Sequence, residues 1–128
     1  MNKLIIDVTN VNLFLMIITN ASVYNITHEN TKNNYEKLSI IINDFPLSRN
    51  LKIDDINAIY INKGPGSFAA IRNSISTVKA FKIAKNIDYY GYNLDDFKEE
   101  KDLSYERIPD LCKKYKIKKN LIKPIYIS

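Results

Sequence analysis

The chain has little of what most side-chain chemistry needs. It carries one cysteine, one histidine and no tryptophan in 128 residues. A single thiol, Cys112, excludes an internal disulfide and any cysteine-rich zinc site. Lys113 and Lys114 beside it would favour a thiolate, but no histidine is near in sequence to activate it, so it reads as a buried or incidental thiol. The lone His28 has no second imidazole, and Glu29 beside it completes no metal-ligand spacing. It reads as a surface residue at a strand end. Long apolar runs are also missing: Leu13 to Ile18 is too short to span a bilayer, and Leu4-Ile5-Ile6 is cut by Asp7 before it could serve as a signal peptide. The expectation is a cytoplasmic protein without a membrane segment.

Glycine is the most informative scarcity. Two of only three glycines fall within Gly64-Pro65-Gly66-Ser67-Phe68, between the apolar run Ile59-Tyr60-Ile61 and a helical pattern from Phe68 to Lys85. Glycine permits positive φ and close backbone approach, and proline fixes its own φ, so the shape of this strand-to-helix turn matters. Two readings stand side by side. One is a tight turn with Ser67 as helix N-cap. The other is an anion- or carboxylate-facing site, because the first turn of a helix presents free N–H groups and a positive dipole end. The run fits neither standard phosphate fingerprint, lacking the Lys-Ser/Thr ending of a P-loop and the third glycine of a dinucleotide motif. Ser67 has no histidine near in sequence to make it a nucleophile.

What is abundant is ordinary for one globular domain. Hydrophobic residues make up 45% and charged residues 26%, and 128 residues suffice for a modest core. The formal net charge is +5, with lysines 113, 114, 116, 118, 119 and 123 clustered toward the C-terminus. Such a run suits a solvated tail or an acidic partner such as RNA; only Tyr115 is interleaved as an aromatic.

Hydrophobic periodicity orders the elements. Lys3 to Val8, Leu13 to Ile18 and Ser22 to His28 read as three strands joined by polar turns, an antiparallel meander. Asn30 to Asn34 reads as a polar loop. Tyr35, Leu38, Ile41, Ile42 and Phe45 share one helical face, which Pro46 stops or kinks. Leu51 to Asp55 reads as a connector, and Ala58 to Ile61 as a central strand buried on both faces. A second helix runs from about Phe68 to Lys85, where Ala80, Phe81 and Ala84 add a second apolar stripe, and Asp88 to Tyr92 is a fifth strand. Asp95 to Lys101 and Arg107 to Tyr115 read as short helices, and the segment from Lys123 to Ile127 as an extended tail. The order βββαβαβ, a mixed sheet with helices, is that of an actin-like or ribonuclease-H-like half-domain in residues 1–97. A short helical remnant and tail follow in 98–128. Asp7, ending the first strand, could hold a metal-bound water or hydrogen-bond the following turn.

The stretch Ile61-Asn62-Lys63-Gly64-Pro65-Gly66-Ser67-Phe68, with Ile71-Arg72 and Lys79, resembles the signature of the TsaB (YeaZ) proteins. The opening Ile5-Ile6-Asp7-Val8-Thr9 and the tail Lys123-Pro124-Ile125-Tyr126-Ile127 are similar to that family's first strand and closing tail. The resemblance implies an actin-like ATPase fold, here with the second lobe largely missing. It implies a non-catalytic subunit that scaffolds a TsaD-like enzyme, which transfers a threonylcarbamoyl group to adenosine 37 of tRNA. A TsaE-like ATPase would join the assembly, with ATP or ADP and metal held by the partners and none by this chain. tRNA would be reached indirectly or through the basic tail, and the chain alone could pair with itself. Val8, Ala69-Ala70 and Asn73-Ser74 depart from the family pattern and count against nucleotide binding.

On this reading Gly64, Pro65, Gly66, Ser67, Phe68 and Arg72 form the turn that faces a partner or nucleotide. Arg72, at a helix start, opposes the dipole and calls for a carboxylate, nearby or across an interface. Tyr35, Leu38, Ile42, Ile75, Val78 and Lys79 would supply the helical interface, with Ile75→Glu as its disruptive variant. The competing reading is a small degenerate ATPase or sugar-kinase-like enzyme that binds nucleotide at Gly64–Ser67.

Overall fold

In the computed structural model, which describes residues 1–127, the strands Lys3–Asp7 (β1), Asn12–Ile18 (β2) and Val23–Glu29 (β3) form the expected meander. Ala58–Asn62 (β4) and Asp88–Tyr92 (β6) add parallel to β1, giving a five-stranded sheet of order β3-β2-β1-β4-β6. Gly66–Ser67 (β5) and Tyr126–Ile127 (β7) pair in parallel as a separate two-stranded ribbon.

Strand side chains alternate between faces, and that alternation divides the core in two. Leu4, Ile6, Leu13, Leu15, Ile17, Ile59 and Ile61 point to one face, where the helices Leu38–Leu47 (α2) and Phe68–Lys85 (α3) cover them. Ile5, Met16, Ala58, Tyr60 and Tyr92 point to the other, covered by Phe97 and the helix Ile108–Lys114 (α4). Each such large side chain contributes about 1.5–3 kcal/mol when withdrawn from water. β4 is buried at every position, as its unbroken apolar run requires.

Local signals account for most element ends. Ser67 caps α3 by accepting from the Ala70 N–H, and Asn86, in the left-handed region at φ 55°, closes it by donating to the Lys82 carbonyl. Pro46 sits in the last turn of α2, which ends one residue later at Leu47. Two expectations need correction. Residues 30–34 are not a plain loop: Thr31 caps a single helical turn, Lys32–Tyr35 (α1), and the helical face expected from Tyr35 to Phe45 is broken at Glu36 and Lys37 before α2 begins. The helix expected over 95–101 is only a 3₁₀ turn, Leu94–Phe97, closed by reciprocal bonds between Asn93 and Asp96. Beyond it the Glu100 carboxylate is drawn into tertiary contacts, accepting from Arg107, Lys114 and Tyr115.

Candidate functional site

The C-terminal ends of the parallel strands β1 and β4 form the crevice where folds of this kind place ligands. Asp7 and Asn62 end those strands, both buried. The Thr9 N–H and hydroxyl donate to Asp7 Oδ1 at 2.9 and 2.6 Å, and Asn62 Nδ2 donates to Oδ2 at 3.2 Å. The Tyr105 hydroxyl donates to the same Oδ2 at 2.8 Å. Its ring stacks on Phe14 with centroids 4.2 Å apart. Burial, then the nearby Asp7 charge, push the Tyr105 hydroxyl well above its usual pKa, so it stays a donor at neutral pH. Both Asp7 oxygens are thus engaged from within the chain. Of the two readings of Asp7, the turn-bonding one is what the geometry displays, and no group of three metal-ligating side chains occurs among the described residues.

The Gly64–Ser67 turn leads out of this crevice. The Gly64 N–H donates to Asn62 Oδ1 at 3.1 Å, tying the turn to the strand end. Gly64 has φ 120°, and a Cβ there would collide with the carbonyl oxygen of Ile125. The tail is therefore what approaches this glycine. Ile125 N–H donates to the Lys63 carbonyl, β7 pairs with β5, and the Tyr126 ring lies 4.7 Å from that of Phe68. A nucleotide at this edge would have to displace residues 123–127.

The sequence-selected residues fall into three groups. Gly64, Pro65, Gly66, Ser67 and Phe68 form the turn and helix start, as expected. Arg72 is exposed on α3, with its guanidinium 5.8 Å from the Phe68 ring centre and no ion pair among the described residues. Of the two partners considered, a local carboxylate is not found among the described residues, and within the chain the guanidinium lies over the aromatic ring instead. The proposed interface residues require a correction. Leu38, Ile42, Ile75 and Val78 are buried in the chain's own core under the sheet, because periodicity fixes which residues share a face but not which way it turns. They are not available to a partner. Tyr35 is half-buried against that core, and Lys79 is exposed.

The outward face of the helices is a different set. Ser39 and Asn43 of α2 and Ser76, Ala80 and Ala84 of α3 line a groove of about 410 Å³ between the two helices, with the core residue Phe81 at its base. Ile83, next to Ala84, is 88% exposed. Sequence reasoning finds Ala80, Phe81 and Ala84 only as a second apolar stripe; it places a turn partner on Asp7, which proves to be Thr9, but misses Asn62 and Tyr105. Asn62 could have been found as the polar residue that ends an apolar strand; Tyr105 offers no sequence signal.

Comparison with known proteins places this geometry in a family. The family model described as TsaD, tRNA N6-adenosine threonylcarbamoyltransferase, matches residues 25–94, more than half of the chain. The chain belongs to the TsaD family. Its fold is also that of solved YeaZ structures: YeaZ from Pseudomonas aeruginosa superposes with a TM-score of 0.66 at 14% identity, over 78% of this chain and 49% of that one. A second Pseudomonas aeruginosa structure, an uncharacterized protein with similarity to peptidase YEAZ, gives 0.66 at 14% identity over 79% and 49%. The chain thus spans about half the length of the YeaZ structures it matches. Thermus thermophilus RuvC in complex with a Holliday junction substrate shares the ribonuclease-H-like sheet, with a TM-score of 0.54 at 10% identity over 77% of this chain and 68% of that one. No curated protein matches the chain. These findings bear out the TsaB (YeaZ) resemblance and the actin-like, ribonuclease-H-like fold. Among the described residues no helix is long and apolar enough to cross a membrane.

Proposed function

We propose that this TsaD-family chain is a non-catalytic accessory subunit of the tRNA N6-threonylcarbamoyladenosine machinery, docking on a TsaD-type catalytic subunit. The observation that carries the reading is the outward face of α2 and α3. Ala80 and Ala84 lie open between two helices above the largely buried ring of Phe81, beside the exposed Ile83. Small residues let a partner helix come close, and a helix laid into this groove would complete a bundle. Two further features support a scaffold over an enzyme: both Asp7 oxygens are engaged by Thr9, Asn62 and Tyr105, and the tail lies against the Gly64–Ser67 turn.

The partner supplies nucleotide, metal and the transfer chemistry on this reading; a TsaE-type ATPase joins the assembly, and the chain pairs with itself when the partner is absent. The test is co-purification of the tagged chain with a TsaD-type subunit of the same organism. Wild type should retain the subunit and Ala80→Glu should lose it while keeping its circular dichroism spectrum. Equal retention by both, or by neither, rejects the docking.

A further inference from the structure

On the sheet face away from α2 and α3, the register that sets Tyr60 opposite Tyr90 stacks their rings, with centroids 5.0 Å apart and planes within 9°. The pair borders a cavity of about 490 Å³ between the sheet and the C-terminal segment. That volume falls in the range of small-molecule sites. Lys3, Lys113 and Lys116 line it, against one carboxylate, Asp110. None of the three lysines makes an ion pair among the described residues, whereas six other cationic side chains, including Lys82, Lys114 and Arg107, do. Tyr60 is 7% exposed, and burial holds its hydroxyl in the protonated, donating form. That hydroxyl makes no hydrogen bond within the described residues, but it is not sealed from solvent; it opens onto the cavity as a donor that water or a ligand can meet.

We infer that this cavity binds a nucleotide, free or as one unit of a single RNA strand, with the base against the Tyr60–Tyr90 pair and the phosphate on Lys113 and Lys116. Aromatic rings on a sheet beneath a basic rim are how sequence-tolerant single-strand sites are built: every base has a π-face, and lysine neutralises the backbone. The lysine cluster has only Tyr115 interleaved in sequence, and folding supplies further aromatics from β4 and β6. The site lies across the sheet from the helical groove, so its failure would leave the docking proposal untouched, and the reverse also holds.

The experiment measures fluorescence anisotropy of 5′-labelled decaadenylate with the full chain, at several salt concentrations, with AMP and inorganic phosphate as competitors. Lys113→Glu/Lys116→Asn removes both cations; asparagine suits position 116, whose φ is +56°. This variant should bind at least tenfold more weakly, and the slope of log affinity against log salt should fall by about 0.7 for each phosphate no longer neutralised. Tyr90→Leu keeps the core filled but removes a ring. It should weaken binding about tenfold at an unchanged salt slope, while Tyr90→Phe binds as wild type. Displacement by AMP identifies a free nucleotide as the ligand; binding of the strand unmoved by AMP identifies RNA. Absence of saturable binding by wild type overturns the inference. So does a Lys113→Glu/Lys116→Asn variant that binds as wild type, or displacement by phosphate alone as effective as by AMP.

Discussion

The hydroxyl of Tyr105 donates to the carboxylate of Asp7 at 2.8 Å, joining residues 98 positions apart. It ties the segment after β6 to the centre of the sheet, at the position where a ligand crevice would open. Tyr105→Phe keeps the stack on Phe14 but removes the donor. A hydrogen bond to a charged group is worth about 1.5–3 kcal/mol. Urea denaturation should show a loss of that size, with the secondary structure unchanged. A variant as stable as wild type would mean that solvent replaces the tyrosine at no cost.

Gly64 makes a separate prediction about the tail. A Cβ at this position would meet the Ile125 carbonyl oxygen, a backbone atom that cannot rotate away, at a φ of 120° that L-residues avoid. Gly64→Ala should therefore cost more than about 1 kcal/mol. It should also release the Ile125 amide, which donates to the Lys63 carbonyl at 2.9 Å, into fast hydrogen exchange. Gly91 repeats the arrangement, with a Cβ there 2.7 Å from Ile122 Cγ1. That neighbour is a side chain that can shift, so Gly91→Ala should be the milder change. Protection at Ile125 in Gly64→Ala would refute the account.

Such long-range approaches mark the boundary between what periodicity makes legible and what it does not. The strands and α3 are readable because their apolar residues recur at 2 and 3.6, and the Ser67 cap sits where a helix must begin. The turn at Lys32–Tyr35 contributes a single apolar residue, Tyr35, too little for a periodic trace of its own. Tyr105 on Asp7 and Tyr60 against Tyr90 depend on topology and register, which no local window contains. The Gly64 turn is recognisable from its residues as a place of close approach, but its visitor, the tail, is not. The helical interface escapes a sequence reading for a related reason. Leu38, Ile42, Ile75 and Val78 form a stripe in sequence, but the sheet, not a partner, receives it.

That inversion separates two substitutions on one helix. Ile75 is 6% exposed in the core, and Ile75→Glu would bury a carboxylate without a partner. It should destabilise the chain by more than about 3 kcal/mol, and any weakening of partner binding would then report unfolding. Ala80 lies on the outer groove, where glutamate reaches water. Ala80→Glu should stay within about 0.5 kcal/mol of wild type in thermal denaturation. Comparable destabilisation by the two would place Ala80 in the core and remove the groove from consideration.

The Glu100 carboxylate gives the chain a specific acid sensitivity. Hydrogen bonds from Lys114, then Tyr115, then Arg107 hold its pKa down to about 2, from a usual 4.5. A carboxyl depressed in the folded state stabilises the fold fully above its unfolded pKa, because only the folded form resists taking up the proton. The contribution is then lost as pH falls from about 4.5 toward about 2. Glu100→Gln should therefore be less stable than wild type at pH 7, and the difference should shrink across that window. Chemical denaturation of both proteins at intervals from pH 7 to pH 2 measures it. Parallel curves for the two would assign the acid sensitivity elsewhere, with Asp88 the next candidate, because its pKa is also lowered, by hydrogen bonds from Lys82 and Asn120.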